Sequence, residues 1–229
     1  MAKPTLYYLV PSPPSRCVLL TAKAIGLDLE LIALNPMAGE NRTEEFLEIN
    51  PQHTIPTMVD GDVVITDSHA IVAYIVDKYA KNDHLYPKDI GKRAVVNSRL
   101  HFDSGHLFAR LRFLYEPVLY NGSSDCSREK LTFIRDCYSI MEGFLKNSPY
   151  LCGSELTIAD FSCISTLTSV NGVCPVDSWK YPKLSAWIDR LKAIPYFEEV
   201  NSTGAQTIKE VFQQMLDENK QKNILSVCD

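Results

Sequence analysis

The sequence predicts two units in series, a small mixed α/β unit followed by an all-helical one. Three observations carry this. Over residues 1–80, short β-branched or aromatic runs alternate with helical runs in the order β-α-β-α-β-β-α. Residues 81–91 then turn polar around Pro87 and Gly91, as an exposed linker does. From residue 92 onwards apolar residues recur at helical spacing, and no convincing strand follows.

Thr5 to Val10 reads as the first strand. After the turn Pro11-Ser12-Pro13-Pro14, a helix runs from about Arg16 through Val18, Leu19 and Ala22 to Ile25, where Gly26 closes it. Leu29 to Leu34 is a second strand. Strand, turn, helix and strand within about 30 residues make a βαβ unit, so these two strands should be parallel neighbours. The polar segment Pro36 to Ile49 reads as a loop with a short irregular helix near Glu44 to Leu47. The stretch Asn50 to Ile71 comes next and is the most informative. Ile55-Pro56 opens a strand, and Asp60-Gly61-Asp62 between apolar β-branched runs is a hairpin signal. Asp67-Ser68 then heads a helix through Ala70, Ile71, Ala73, Tyr74 and Ile75. This order is thioredoxin-like, a small mixed sheet with helices on both faces. A proline before one strand and a polar cap after the next form a cradle for an extended, zwitterionic ligand.

In the second unit, Ala94 to Leu119 is a long helix that Pro117 should kink or end. Ser127 to Leu145 is the next. At Leu156-Thr157-Ile158-Ala159-Asp160-Phe161, Thr157 and Asp160 make a capping box and Leu156 can staple to Phe161. Cys163, Ile164 and Leu167 make the helix that follows apolar nearly all round, which predicts a central, buried position. Pro182 to Ile194 is another helix, and the tail from Gly204 is amphipathic through Val211, Phe212 and Met215.

The totals exclude several classes of function. With 229 residues and 45% apolar content the chain can bury an ordinary core. A net charge of −5 and no basic run give a nucleic-acid or anionic-membrane role no electrostatic support. Met1 to Val10 is strand-like rather than a signal peptide, and no apolar run nears the roughly 18 residues that span a bilayer. A soluble, cytoplasmic protein is expected. Seven cysteines without C-x-x-C or a secretory signal argue for reduced thiols. Cys152, Cys163 and Cys174 recur at regular intervals, as small apolar residues on buried helices do. His53, His69, His84, His101 and His106 have no metal-ligand spacing, so no metal is expected.

Four motifs in this order and spacing, S-P-P-S-R, N-P-Q-H-T-I-P, D-S-H-A-I and L-T-I-A-D-F, resemble the cytosolic glutathione transferases. The resemblance runs from about Leu6 to Glu199. L-H-F-D-S-G-H-L-F-A-R at Leu100 to Arg110, with the final helical extension, is most similar to the insect epsilon class, the delta class being next. It implies an α/β thioredoxin-like N-terminal domain that binds glutathione, residues 1–80, a linker at 81–91, and an all-α C-terminal domain, residues 92–229, that forms a hydrophobic substrate site.

The same resemblance assigns roles. Disulfide-reducing thioredoxin-fold proteins carry C-x-x-C where this chain has Ser12-Pro13-Pro14-Ser15. A helix end and a hydroxyl remain there, suited to a thiolate that arrives on a ligand. Ser12 is the expected catalytic donor. A hydrogen bond to a charged group is worth about 1.5–3 kcal/mol, enough to lower a free thiol pKa of about 8.5 by about one to two units. Cys17, past the turn, should face the core. Ile55, before a cis Pro56, should pair its backbone with the cysteinyl unit of glutathione. Asp67 should meet the γ-glutamyl ammonium, Ser68 the γ-glutamyl carboxylate and His53 the glycyl carboxylate. Epsilon members often carry a histidine where this chain has Asn41, which leaves a contact from Asn41 open. The stripe Phe108, Leu111, Arg112, Tyr115, Leu119 and Tyr120 should face the second substrate. Arg112 lies near both substrates and Phe212 lids the pocket. The implied reactions are conjugation of hydrophobic electrophiles, hydroperoxide reduction and dehydrochlorination of organochlorines such as DDT. The implied assembly is a homodimer. The competing reading is a non-catalytic carrier of hydrophobic ligands.

Overall fold

A computed structural model describes residues 3–225. Residues 1, 2 and 226–229, with Cys228 and the outer ends of the two expected domains, lie outside the described residues. The first unit is a four-stranded sheet in the order β2-β1-β3-β4. β1 (Thr5–Tyr8) runs parallel to β2 (Glu30–Ala33) and antiparallel to β3 (Thr57–Asp60), which returns as β4 (Val63–Thr66). Asp60 pairs with Val63, so Gly61 and Asp62 form the whole turn, with Gly61 at φ 61°.

Successive strand side chains point to opposite faces, and here each face finds a helix. Leu6 is fully buried in one core with Val18 and Leu20 of α1 (Pro13–Ile25) and Ile71 of α3 (Ser68–Tyr79). On the opposite face, the Tyr7 ring meets Phe46 of α2 (Glu44–Ile49) edge-on at 5.3 Å. Two 3₁₀ turns, Pro36–Ala38 and Glu40–Arg42, occupy the stretch expected as loop. Gly26, at φ 70°, accepts the left-handed cap that ends α1.

The second unit is helical throughout the described residues. α4 (Ile90–Phe102) begins inside the stretch expected as linker, because Asp89 caps it through Lys92 N–H. The expected long helix is broken upstream of its proline. A π-helical turn at Asp103–Leu107 separates α4 from α5 (Phe108–Asn121), while Pro117 is carried within α5, which ends at Gly122 at φ 66°. The Gly122 and Ser123 N–H groups both close on Pro117 O, which ends the helix one turn after the proline.

α6 (Arg128–Phe144), α7 (Ile158–Asn171), α8 (Pro182–Lys192), a π-helical turn at Glu198–Ser202 and α9 (Thr203–Leu225) complete the fold. Asp160, fully buried, fixes the start of α7. Its carboxylate accepts from Leu151 N–H, Thr157 N–H, the Thr157 hydroxyl and Trp187 Nε1, at 2.9–3.0 Å. α7 is central, but it is not apolar all round. Ser162, Ser165 and Ser169 lie on one buried stripe, and that stripe faces the first unit. The sheet unit is therefore docked through polar contacts as well as apolar ones.

Candidate active site

Ser12 is the N-cap of α1. Its carbonyl accepts the first helical bond, from Arg16 N–H at 3.0 Å, and its hydroxyl oxygen accepts from Ser15 N–H at 3.5 Å. Pro13 and Pro14 fill the first two helical positions and have no N–H to offer a ligand. The helix end is thereby stripped of two of its usual free donors. The Ser12 hydroxyl proton, with no acceptor among the described residues, is the hydrogen-bond donor left at this corner. Cys17 is fully buried, and burial pushes its thiol far above the usual range, so it cannot serve as a thiolate nucleophile.

Across the sheet, the Ile55-Pro56 bond is cis, and neither the N–H nor the C=O of Ile55 is hydrogen-bonded among the described residues. An extended ligand can pair with them as an added strand does. His53 stands just before, held at φ 47° in a tight turn by its N–H on Asn50 O at 2.9 Å. Asn41 is buried, and its Nδ2 donates to His53 O at 2.5 Å. Asn41 thus braces the loop that carries His53, and its buried Oδ1 has no protein partner.

Asp67 has φ 76° and ψ 123°, outside the left-handed helical region, a strained backbone of the kind that collects at ligand sites. One carboxylate oxygen accepts from His69 N–H at 2.9 Å and Ala70 N–H at 3.3 Å; the other is uncommitted. Ser68 follows as the first residue of α3, and its hydroxyl makes no hydrogen bond among the described residues. A carboxylate and a helix N-terminus side by side suit the ammonium and carboxylate of one amino-acid terminus. Tyr7, Thr57 and Thr66 stand side by side in the sheet, so the segments that carry Ser12, His53 with Ile55, and Asp67 with Ser68 all leave it at one end and form one rim.

The expected hydrophobic stripe divides. Leu111, Tyr115 and Phe212 are interior: the Tyr115 and Phe212 rings stack at 4.2 Å, and Tyr115 donates its hydroxyl to Ser169 O at 2.8 Å. Phe212 is 1% exposed and so packs α9 onto α5 rather than acting as a lid. Phe108 and Leu119 are half-buried and Tyr120 is exposed. These three remain as the open part. Arg112 is also exposed, and its Nε meets Glu116, one turn further along α5, at 2.5 Å. A separate cavity of about 360 Å³ is lined by Ala109, Arg110, Phe113 and Phe133, none of them expected around the ligand.

Two features of the site were not expected from the sequence. Arg16 is wholly buried and reaches α7 and the turn before α9. His69, next to Ser68, takes Ser162 and Asp103 of the helical half as partners. The available signal was S-x-x-S-x-x-x-S at Ser162, Ser165 and Ser169, which puts three hydroxyls on one helix face.

Residues 2–77 match the family model for the glutathione S-transferase N-terminal domain, and residues 115–201 match that for the glutathione S-transferase C-terminal domain. Glutathione S-transferase 1 of Manduca sexta is 41% identical over 214 residues, which covers 93% of this chain and 98% of that one. A solved glutathione transferase homolog from Drosophila mojavensis, with bound glutathione, is 48% identical with a TM-score of 0.91, covering 94% of this chain and 98% of that one. An epsilon-class glutathione S-transferase from the housefly Musca domestica is 43% identical with a TM-score of 0.91, over 93% and 98% of the two chains.

Proposed function

Because this chain belongs to the glutathione S-transferase family, we propose that it conjugates glutathione, its co-substrate, to hydrophobic electrophiles. The single observation that carries the reading is the rim around Ser12. It combines a free hydroxyl proton on a cysteine-free turn, an unpaired Ile55 backbone, and a carboxylate beside a helix N-terminus. These fit a γ-glutamyl peptide in one direction. Asp67 takes the ammonium, Ser68 the adjacent carboxylate, Ile55 the cysteinyl backbone, and His53 the glycyl carboxylate. The thiol then lies at Ser12.

Ser12 acts by donating a hydrogen bond to the sulfur, which stabilises the thiolate and so raises its fraction at neutral pH. The thiolate attacks the electrophile, carbon–sulfur bond formation expels the leaving group, and the thiol proton passes to solvent. Phe108, Leu119 and Tyr120 offer the apolar surface on which the second substrate rests, with Arg112 at its edge. Leu111, Tyr115 and Phe212 support that surface from within. Peroxide reduction and dehydrochlorination begin from the same thiolate, which keeps both within the proposed range. We read residues 1–80 as the glutathione-binding domain, 81–91 as the linker and 92–229 as the helical domain. The working form is read as a cytoplasmic homodimer. No helix among the described residues is long and apolar enough to cross a membrane.

Retention on glutathione-agarose followed by conjugation of chlorodinitrobenzene tests this. Retention with turnover is expected. Retention without turnover would point instead to a carrier of hydrophobic ligands, for which a free Ser12 proton has no use.

A further inference from the structure

Ser12 is bracketed by two contacts with the helical half, one made by a residue of its own helix and one by a residue of α9. The first is Arg16. Its backbone N–H holds the Ser12 carbonyl at 3.0 Å, while its side chain leaves the sheet unit altogether. Nη1 donates to Thr168 Oγ1 at 3.2 Å and to Asn201 O and Oδ1 at 3.1 and 2.7 Å. Nη2 donates to Ser165 O at 2.9 Å and to Ser169 Oγ. No carboxylate is among these partners, and Nε is buried with none. Burial pulls the Arg16 pKa down to about 9, which still leaves it charged at neutral pH. A charge buried on neutral acceptors is a poor source of stability, since apolar packing could fill the same volume. It does define geometry, because a rigid planar fork with several acceptors has one place to sit.

The second contact is Gly204, in the first turn of α9. A Cβ there would stand 2.3 Å from the Val10 carbonyl oxygen and 2.7 Å from Arg16 Cδ. Only glycine lets α9 touch the backbone two residues before Ser12. Val10 on one side of Ser12 and Arg16 on the other are thus fixed from one place, the junction of Asn201 and Gly204.

We propose that Arg16 and Gly204 are positioning residues for the thiol site, through which the helical half sets where the Ser12 hydroxyl stands. The inference rests on Ser12 being the thiol donor. It predicts that disturbing the junction changes the ionisation of bound glutathione before it changes glutathione binding, which belongs to Ile55, Asp67 and Ser68.

The test uses full-length protein with Gly204→Ala, Thr168→Val and, as a control on the same helix, Gly172→Ala. The atoms nearest an added methyl at Gly172 are Lys209 Cδ and Cγ at 2.8 Å and Cβ at 3.1 Å, so this variant presses on α9 as well, but at Lys209 rather than at the Gly204 junction. The readouts are the pH midpoint of kcat/KM with chlorodinitrobenzene, the thiolate absorbance of bound glutathione, KM for glutathione and the melting temperature. Gly204→Ala is expected to raise the midpoint by roughly half to one unit and lower kcat/KM about tenfold at neutral pH, with KM changed less than about twofold. Thr168→Val removes one Arg16 acceptor and should give a smaller shift in the same direction; Gly172→Ala should give none. In a Ser12→Ala background Gly204→Ala should add no further shift, as two changes acting through one group do. A lowered melting temperature with an unmoved midpoint, or an equal shift in both backgrounds, overturns the proposal. If Gly204→Ala does not fold, Thr168→Val decides alone. If Ser12→Ala itself leaves the midpoint in place, the Ser12 reading fails and takes this inference with it. If Ser12→Ala moves it while Gly204→Ala and Thr168→Val do not, this inference alone fails.

Discussion

His69 Nε2 on α3 stands 2.7 Å from Ser162 Oγ on α7, which ties the helix that begins at Ser68 to the centre of the helical half. The Ser162 hydroxyl donates to the Asp103 carboxylate, so its oxygen must accept, and Nε2 of His69 carries the proton. Asp103 belongs to the π-helical turn between α4 and α5, and its Oδ1 is buried without a partner. Ser162→Ala would leave His69 and the Asp103 carboxylate with only their own longer contact of 3.3 Å. We expect a loss of about 1–3 kcal/mol, read as a lower midpoint in chemical denaturation. A midpoint equal to that of the unaltered protein would show that the tie carries no net energy.

The elements themselves were legible in the sequence because each has local punctuation. Gly26 stops α1, Asp60-Gly61-Asp62 turns β3 into β4, and Thr157 with Asp160 starts α7. The rim of the site was legible for the same reason, since Ser12, Ile55, Asp67 and Ser68 all sit where an element begins. What was not legible depends on which side of a helix meets which neighbour. Periodicity placed Tyr115 and Phe212 on apolar faces without saying that the two would stack on each other and leave the pocket wall. Helix α7 read as apolar all round because serines separated by three and four positions look like scatter until Arg16 and His69 arrive from the other unit. The break at Asp103–Leu107 has a similar origin. Pro117 was the visible breaker, yet the irregular turn formed where Asp103 meets Ser162 and His69.

Asp160 offers a sharper stability test than any residue of the rim. Four donors converge on its buried carboxylate, from Leu151, Thr157 and Trp187. Asp160→Asn keeps the size but replaces one acceptor oxygen by an NH₂ that faces donors. The expected cost is about 3 kcal/mol or more, since hydrogen bonds to a charged group are the strong ones. Melting of the variant several degrees below the parent is the anticipated result, and no change would mean that the network relaxes without loss.

Acid sensitivity has an identifiable contributor at the hairpin. Burial alone would raise the Asp60 carboxyl, but hydrogen bonds from Lys78, Tyr79 and Tyr74 outweigh it and hold the group below the usual carboxylate range. A carboxyl with a depressed folded-state pKa stabilises the fold above its unfolded pKa of about 3.9, and that contribution is lost as pH falls through the folded value. Melting curves from about pH 5 downwards should therefore fall less steeply for Asp60→Asn than for the parent. Parallel curves would exclude Asp60 as a source of the acid dependence.

Ser12 and Asp67 should separate the chemical step from binding. Ser12→Ala removes the hydroxyl proton but leaves the Ile55 backbone, Asp67 and Ser68 in place. The pH at which bound glutathione ionises should then rise by about one to two units, while KM for glutathione stays within about threefold. Asp67→Asn should do the reverse. Asparagine has the shape of Asp67 and can still cap α3, so the fold is retained, but the charge opposite the γ-glutamyl ammonium is gone. The loss of one charge-assisted contact, about 1.5–3 kcal/mol, corresponds to glutathione binding roughly ten- to hundredfold weaker with the ionisation midpoint unmoved. Calorimetric titration gives the affinity, and the absorbance of bound thiolate against pH gives the midpoint. If Ser12→Ala weakened binding and left the midpoint alone, or Asp67→Asn moved the midpoint and spared binding, the two roles would have to be exchanged.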